Sequence, residues 1–348
     1  MNKLVDIIIR DAEIICHKLN FQKIIGKTVL VAGASGLVGG YFIACLRYLY
    51  LSRGARFNTI ALTQEEPYPY LKELLDFEGV CVYQGDLTNP EFCAKLPEAD
   101  IIIHAAGYAQ PSRFLQDQVK TLKLNTLSLY MLFDKLLKGG KFLFISSSEV
   151  YNGLKNSPFK ESEIGITNTS HPRSCYIEAK RCGEAICYAY RRKGIAAKSV
   201  RLSLAYGPGT RPGDTRVMNS FIEKALNGKI TLLDQGKAKR TYCYISDAIE
   251  IMWNVLLHGK GPIYNVGGNS RTTIGELAQR IGNYLNVPVI FPAETQEMPG
   301  APDDVYLDMA KARKEFGKTD FVAIERGLEA TIEWQKELCL QSNDGKKQ

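Results

Sequence analysis

Short β-branched runs alternate with longer stretches of helical spacing through the first two thirds of the chain. The runs Lys27–Ala32, Asn58–Leu62, Val80–Gln84, Ile101–Ala105, Lys141–Ser146 and Ala197–Leu204 are bounded by turn residues and predict strands. Leu37–Leu51, Ser112–Leu137 and Tyr176–Lys193 carry the apolar period and the length of helices. Parallel neighbours need a crossover between them, usually a helix, so this order predicts an α/β fold with a doubly wound parallel sheet. The stretch Gly207-Pro208-Gly209-Thr210-Arg211-Pro212-Gly213-Asp214 suits neither helix nor strand and marks a change of domain. Beyond it, Ser246–Leu257 and Pro262–Val266 read as a helix and a strand that return to the sheet. The expected division is an N-terminal extension over 1–26, a main unit over 27–206 with 242–266 returning to it, a smaller lobe over 207–241 and 267–340, and a polar tail over 341–348.

Leu4, Ile7, Ile8 and Ile15 fall at helical spacing in the extension, while Asp6, Arg10, Asp11 and Glu13 interrupt any continuous apolar segment. This predicts an amphipathic helix packed on the protein or on a second copy, in preference to a signal peptide, a membrane span or a membrane-surface anchor. With 45% hydrophobic and 23% charged residues in 348, the chain has the balance of a globular protein and not of a disordered one. The formal charge of +7, from 44 basic against 37 acidic residues, is spread along the chain, and only Gly345-Lys346-Lys347 is locally basic. Nucleic-acid binding would need basic and aromatic residues clustered on one face, so it is not expected; a small anionic ligand accounts for the bias. Nine cysteines, odd in number and without a Cys-x-x-Cys pair, read as reduced, buried thiols of a cytoplasmic protein, and no metal site is expected.

The first strand runs straight into Gly33-Ala34-Ser35-Gly36-Leu37-Val38-Gly39, and an apolar helix comes next. Glycines at such a junction permit a tight turn, close approach of backbone to a diphosphate and close packing of helix on strand, while the helix N-terminus faces the phosphate charge. Dinucleotide binding is the expectation, with Gly33, Ser35, Gly36, Leu37, Val38 and Gly39 at the cofactor.

The Gly-x-x-Gly-x-x-Gly spacing and the later motifs of the chain, over about Lys27 to Gly317, resemble the extended branch of the short-chain dehydrogenase/reductase family. That branch contains nucleotide-sugar epimerases, dehydratases and decarboxylases. The resemblance implies a Rossmann domain with a smaller C-terminal substrate-binding lobe, NAD as cofactor and a nucleotide-diphosphate sugar as substrate. It also implies a homodimer paired through two helices per subunit. Asp86 and Leu87 would lie near the adenine, and Ala105, Ala106 and Gly107, after His104, would line the cofactor together with Asn125. At the end of the second strand the family usually has an Asp for the adenosine ribose, where this chain reads Ile60-Ala61-Leu62-Thr63-Gln64-Glu65. The 2′-phosphate of NADP would want an Arg just after that strand and none is present, whereas Glu65 can meet a ribose hydroxyl; NAD is expected, with NADP left open.

Tyr-x-x-x-Lys occurs at Tyr68/Lys72, Tyr151/Lys155 and Tyr176/Lys180. Pro67 and Pro69 flank the first tyrosine, and Asn152-Gly153 and Pro158 come after the second, so both pairs are expected in loops. Tyr176 opens a helix free of proline, which puts Lys180 on the same face one turn on. An ammonium ~6 Å from a phenol, at an effective dielectric of ~20, contributes about 2.8 kcal/mol, enough to lower the phenol by about two pKa units. Tyrosinate then takes the proton of a sugar hydroxyl as hydride leaves its carbon, and the phenol returns it on reduction.

By the resemblance Ser147, at the end of the fifth strand, takes the place of the catalytic Ser/Thr. Nucleotide-sugar 4,6-dehydratases carry Asp-Glu next to it; this chain has Ser148-Glu149, as UDP-glucuronate decarboxylases do. The segments His171-Pro172-Arg173-Ser174-Cys175-Tyr176 and Arg216-Val217 also look like those decarboxylases, but Val305 stands where they hold an Arg that would meet the sugar carboxylate. The expected function is NAD-dependent oxidation at the sugar 4-position, of the 4-epimerase or 4-dehydrogenase/ketoreductase type. Decarboxylation or dehydration is the alternative, and a non-catalytic dinucleotide sensor the alternative of another class. Tyr176, Lys180, Ser147 and Glu149 are the expected catalytic residues. Ser148, Arg216 and Arg240 are expected to bind substrate, the two arginines at its diphosphate. Leu204 stands where relatives often place an Asn for that diphosphate.

Overall fold

Six of the predicted strands and one from the returning segment pair in register to form a single parallel sheet in the computed structural model, which describes residues 2–293 and 304–344. The chain runs α1 (Lys3–Lys18), β1 (Thr28–Ala32), α2 (Leu37–Arg53), β2 (Asn58–Thr63), α3 (Pro69–Leu75), β3 (Val80–Gln84), α4 (Pro90–Ala94) and β4 (Ala99–His104). It continues through α5 (Pro111–Gln116), α6 (Gln118–Asn125), α7 (Leu127–Phe133), β5 (Leu136–Ser147), α8 (Ser174–Arg192), β6 (Ala196–Leu202) and β7 (Ala205–Tyr206). Next come α9 (Val217–Leu226), β8 (Ile230–Thr231), β9 (Lys239–Tyr244), α10 (Ile245–His258), β10 (Ile263–Val266), β11 (Ser270–Thr273), α11 (Ile274–Leu285), β12 (Val289–Ile290), β13 (Asp304–Val305), α12 (Ala310–Phe316) and α13 (Ile324–Asp344).

The main sheet has the order β10-β6-β5-β4-β1-β2-β3, so the chain winds one way from β1 and the other way from β4. A crevice therefore opens at the carboxyl ends of β1 and β4, where open α/β sheets bind their ligands. A second sheet, β11-β9-β13 with β7 also on β9, stands beside the same end. As expected, α10 and β10 return to the main sheet, with β10 parallel to β6.

Residues 112–137 do not form the single helix expected. Asp117 caps a new helix by accepting from the Lys120 N–H at 3.0 Å, and Thr126 turns its hydroxyl back onto Leu122 O at 2.8 Å. Short polar side chains that bond their own backbone break a helix in this way. The chain then enters β5 five residues before the expected Lys141, at Leu136. The sixth strand ends at Leu202 because Leu204 has a left-handed backbone, φ +38°.

Two further expectations fail. Lys72 lies on α3 and not in a loop, since Pro69 occupies the first helical turn, where its missing N–H and fixed φ are favourable. Three of the nine free cysteines, Cys81, Cys182 and Cys339, are exposed. The tail 345–348, including Gly345-Lys346-Lys347, lies outside the described residues.

The extension packs on its own chain. Leu4, Ile7, Ile8 and Ile15 are buried, and Asp11 Oδ2 accepts from Tyr41 Oη of α2 and Tyr244 Oη of β9, each at 2.8 Å. Among the described residues no helix is long and apolar enough to cross a membrane.

Candidate active site

Gly33 opens the turn after β1 with φ +81°, and a Cβ there would lie 2.7 Å from Ala106 N and 2.8 Å from Ala105 O. A Cβ on Gly39 would lie 2.1 Å from Gly33 O, so α2 seats on the turn only because both positions lack side chains. Gly36 caps α2, Leu37 and Val38 open it, and the Ser35 side chain is buried at the turn. The expected cofactor residues of two distant segments thus meet across one crevice. Asn125, fully buried, has an Oδ1 without a hydrogen-bond partner, and this atom lies 3.5 Å from where a Gly107 Cβ would stand. A bare glycine cradle with an unpartnered buried amide beside it fits a dinucleotide. The Asp86 carboxylate pairs with Lys120 Nζ at 2.8 Å, which holds it below the usual carboxylate range, and Leu87 packs in the core cluster with Ile60 and Leu62 of β2.

β5 delivers Ser147 to the same end of the sheet, and the first turn of α8 brings Tyr176 near enough for the Ser147 hydroxyl to favour ionisation of its phenol. The Tyr176 ring stacks on Phe114 with centroids 4.6 Å apart. Lys180, one turn along α8, donates to Ile145 O at 2.7 Å and holds its Nζ 5.6 Å from the centre of the tyrosine ring. The three expected residues therefore come together.

Their electrostatics run against the expectation of an acidified phenol. Burial pushes the Tyr176 phenol up to about 12, with Ser147 and the nearby Arg173 and Arg216 opposing it and Glu149 adding to it. Burial likewise pulls the Lys180 ammonium down to about 7, against the attraction of Glu184. Desolvation wins because both groups lie under the sheet end, where either charge loses its water. The resting pair is poised toward its neutral forms.

Behind the pair lies a network that local spacing does not announce. Glu184, one further turn along α8, accepts from Ser146 Oγ at 2.6 Å and from Arg201 Nη2 of β6 at 2.8 Å. Arg201 Nη1 donates to Tyr151 Oη at 2.8 Å, and that hydroxyl donates to Asn265 Oδ1 of β10 at 2.7 Å. Tyr151, from the second Tyr-x-x-x-Lys motif, closes a 3-10 turn over Ser148–Tyr151 and is a buried strut. Only the i, i+4 spacing of Lys180 and Glu184 hinted at any of this.

Glu149 is held by Arg173 Nη2 at 2.5 Å, and the Arg173 guanidinium stands 5.4 Å over the Phe114 ring. Arg216 is engaged by Asp214, with Nη2 to Oδ2 at 2.5 Å, so the first expected phosphate cation carries an internal counter-charge. Arg240, half-buried, donates to Lys239 O at 2.8 Å, and burial lowers its affinity for a proton. In register it faces Val305, which lines a cleft with Ser148, Glu149, Asn152 and Asp304. Val305, which the resemblance sets where decarboxylases hold an Arg, thus lines the same cleft as Glu149. Leu204 occupies the left-handed backbone that an Asn would take at less cost.

Comparison with known proteins agrees with this geometry. Residues 29–267 match the NAD dependent epimerase/dehydratase family. UDP-glucuronic acid decarboxylase 5 of Arabidopsis thaliana is 34% identical over 305 residues, 86% of this chain and 86% of its own. UDP-glucuronic acid decarboxylase 1 of Danio rerio is 29% identical over 91% of this chain and 75% of its own. The fold is shared with the UDP-glucose 4-epimerase of Thermotoga maritima, at TM-score 0.76 and 23% identity over 90% of this chain and 99% of that one. It is shared too with a dTDP-glucose 4,6-dehydratase of Streptomyces venezuelae, at TM-score 0.77 and 23% identity over 89% and 97%. The Rossmann sheet, its glycine turn and the matched span together make this chain an enzyme of the NAD dependent epimerase/dehydratase family.

Proposed function

We propose that this protein oxidises the 4-hydroxyl of a nucleotide-diphosphate sugar and returns the hydride within the same site, as a 4-epimerase does, with a net 4-dehydrogenase or ketoreductase using the same groups. The supporting observation is the convergence of Tyr176, Lys180 and Ser147 beside the glycine turn, with Val305 in the cleft where a carboxylate-binding cation would stand. The smaller sheet and its helices act as the substrate lobe.

When bound, the nicotinamide supplies the hydride acceptor and donor. Tyr176 Oη moves the hydroxyl proton, and Ser147 Oγ, close enough to favour ionisation of that phenol, orients the reacting oxygen. Lys180, kept in place by Ile145 O, supplies positive charge beside the phenol in its protonated form, which the appearance of a tyrosinate favours. Glu149, restrained by Arg173, holds a sugar hydroxyl or takes a second proton next to the ketone. Arg216 and Arg240 serve the diphosphate, the first by exchanging Asp214 for phosphate oxygens.

Decarboxylation of a sugar acid is the second reading, favoured by the 34% identical relative and by a guanidinium, Arg173, at Glu149. Incubation with UDP-, GDP-, CDP- and dTDP-sugars, read by product mass, separates the readings. Unchanged mass with altered sugar stereochemistry is the expected result; loss of carbon dioxide or of water replaces the proposal by the decarboxylase or dehydratase reading.

Val119 and Leu122 of α6 and Tyr188 of α8 are exposed on neighbouring helices, a face that a second copy covers in the proposed homodimer. The cytoplasm is the proposed compartment, where nine unpaired cysteines stay reduced.

A further inference from the structure

The end of β2 is where a dinucleotide fold reads the adenosine ribose: an acidic side chain takes the 2′-hydroxyl, and an arginine accommodates a 2′-phosphate. The strand ends here on Thr63, which is uncharged and only 2% exposed, with an Oγ1 that has no hydrogen-bond partner. No arginine comes directly after it in sequence, but two arrive from elsewhere. Arg211, from the Pro/Gly-rich stretch, donates from Nε to Ser35 O at 3.0 Å and from Nη2 to Ser35 Oγ at 2.5 Å, and its Nη1 stands 4.0 Å from Glu65 Oε2. Arg113, from α5, reaches Glu65 Oε1 at 3.7 Å and lies 4.9 Å over the Tyr108 ring.

Arg211 is not a wandering surface side chain. The carbonyl of the preceding residue, Thr210, accepts from the buried Trp334 Nε1 at 2.9 Å, which pins the stretch to α13. Thr215 and Ser112 hydroxyls, 3.2 Å apart, tie the same stretch to the start of α5. The neighbouring carboxylate, Glu66, is already matched by Lys72 at 2.6 Å. One carboxylate, Glu65, therefore faces two guanidiniums, and the corner between the glycine turn and β2 keeps one positive charge in excess.

We infer that this corner accepts a 2′-phosphate, so that the protein binds NADP as well as NAD. The inference rests on the reading of the glycine turn as a dinucleotide site and assigns its adenosine end. Arg113 and Arg211 would exchange the loose ion pairs to Glu65 for charge-assisted contacts to the phosphate dianion, and the neutral Thr63 adds no repulsion.

Isothermal titration of the full-length protein, freed of bound nucleotide, with 5′-AMP, 2′,5′-ADP, NAD and NADP tests it. The 2′-phosphate should tighten binding of 2′,5′-ADP over 5′-AMP by about tenfold, as two charge-assisted contacts would. Replacing both arginines, Arg113→Met with Arg211→Met, should cost NADP at least about tenfold more than NAD, and Glu65→Gln should strengthen NADP. Circular dichroism confirms that the variants fold. Binding of 2′,5′-ADP no tighter than 5′-AMP, or equal losses of NAD and NADP in the double variant, would overturn the inference while leaving the dinucleotide site standing. Failure of NAD and NADP alike to bind the wild type overturns the glycine-turn reading with it.

Discussion

The two ends of the cofactor crevice are charged by opposite means. At the catalytic end the ions are buried: the Arg201 and Glu184 side chains are 4% and 6% exposed and belong to a hydrogen-bond network that joins α8, β5, β6, β10 and the 3-10 turn. At the adenosine end Glu65 is 61% exposed, and its two arginines stand 3.7 and 4.0 Å away. A buried ion is costly to leave alone, so the first arrangement is rigid; exposed pairs at long distance are worth little, so the second can trade partners. On the proposed reading, the end that transfers hydride needs fixed geometry, whereas the end that only holds an adenosine can be retuned by one guanidinium.

The sharpest break of this contrast is Tyr176→Phe. In the proposed mechanism the phenol moves the proton, so turnover of the nucleotide sugar identified by the panel should fall about 10³-fold, with NAD affinity unchanged by titration. Rates like those of wild type would remove Tyr176 from the mechanism. Next, Arg201→Met strips Glu184 of its buried partner and should lower unfolding free energy by about 3–5 kcal/mol in urea denaturation. A loss under about 1 kcal/mol would mean that the catalytic end is no more rigid than the surface. The smallest effect belongs to the adenosine side: Lys72→Ala removes an exposed pair with Glu66, side chains 55% and 67% exposed, and should shift stability by less than about 0.5 kcal/mol. Turnover within about twofold of wild type would confirm that the first Tyr-x-x-x-Lys pair is a bystander to proton transfer.

Of three Tyr-x-x-x-Lys motifs, the one on α8 could be chosen from the chain alone because its helix is free of proline, while Asn152-Gly153 and Pro158 keep Tyr151 and Lys155 out of a regular helix. The same logic erred at Pro69, which begins a helix as readily as it prevents one. The glycine turn was legible for a related reason, since strand, turn and helix succeed one another within a dozen residues.

Local spelling thus determined six strands of the main sheet and their parallel sense, the return of α10 and β10, the glycine turn and the placing of Tyr176 and Lys180 on one helix. Each depends on neighbours a few residues apart, where backbone sterics and periodicity act directly. Tertiary structure alone decided the rest. Arg211 meets Ser35 across 176 positions, Arg201 meets Tyr151 across 50, and Val305 reaches the Glu149 cleft from the far lobe. It also decided the sign of the Tyr176 shift: an isolated lysine one turn away would acidify a phenol, but the sheet end that covers both groups removes the water each charge needs, and that loss is set by everything packed above them.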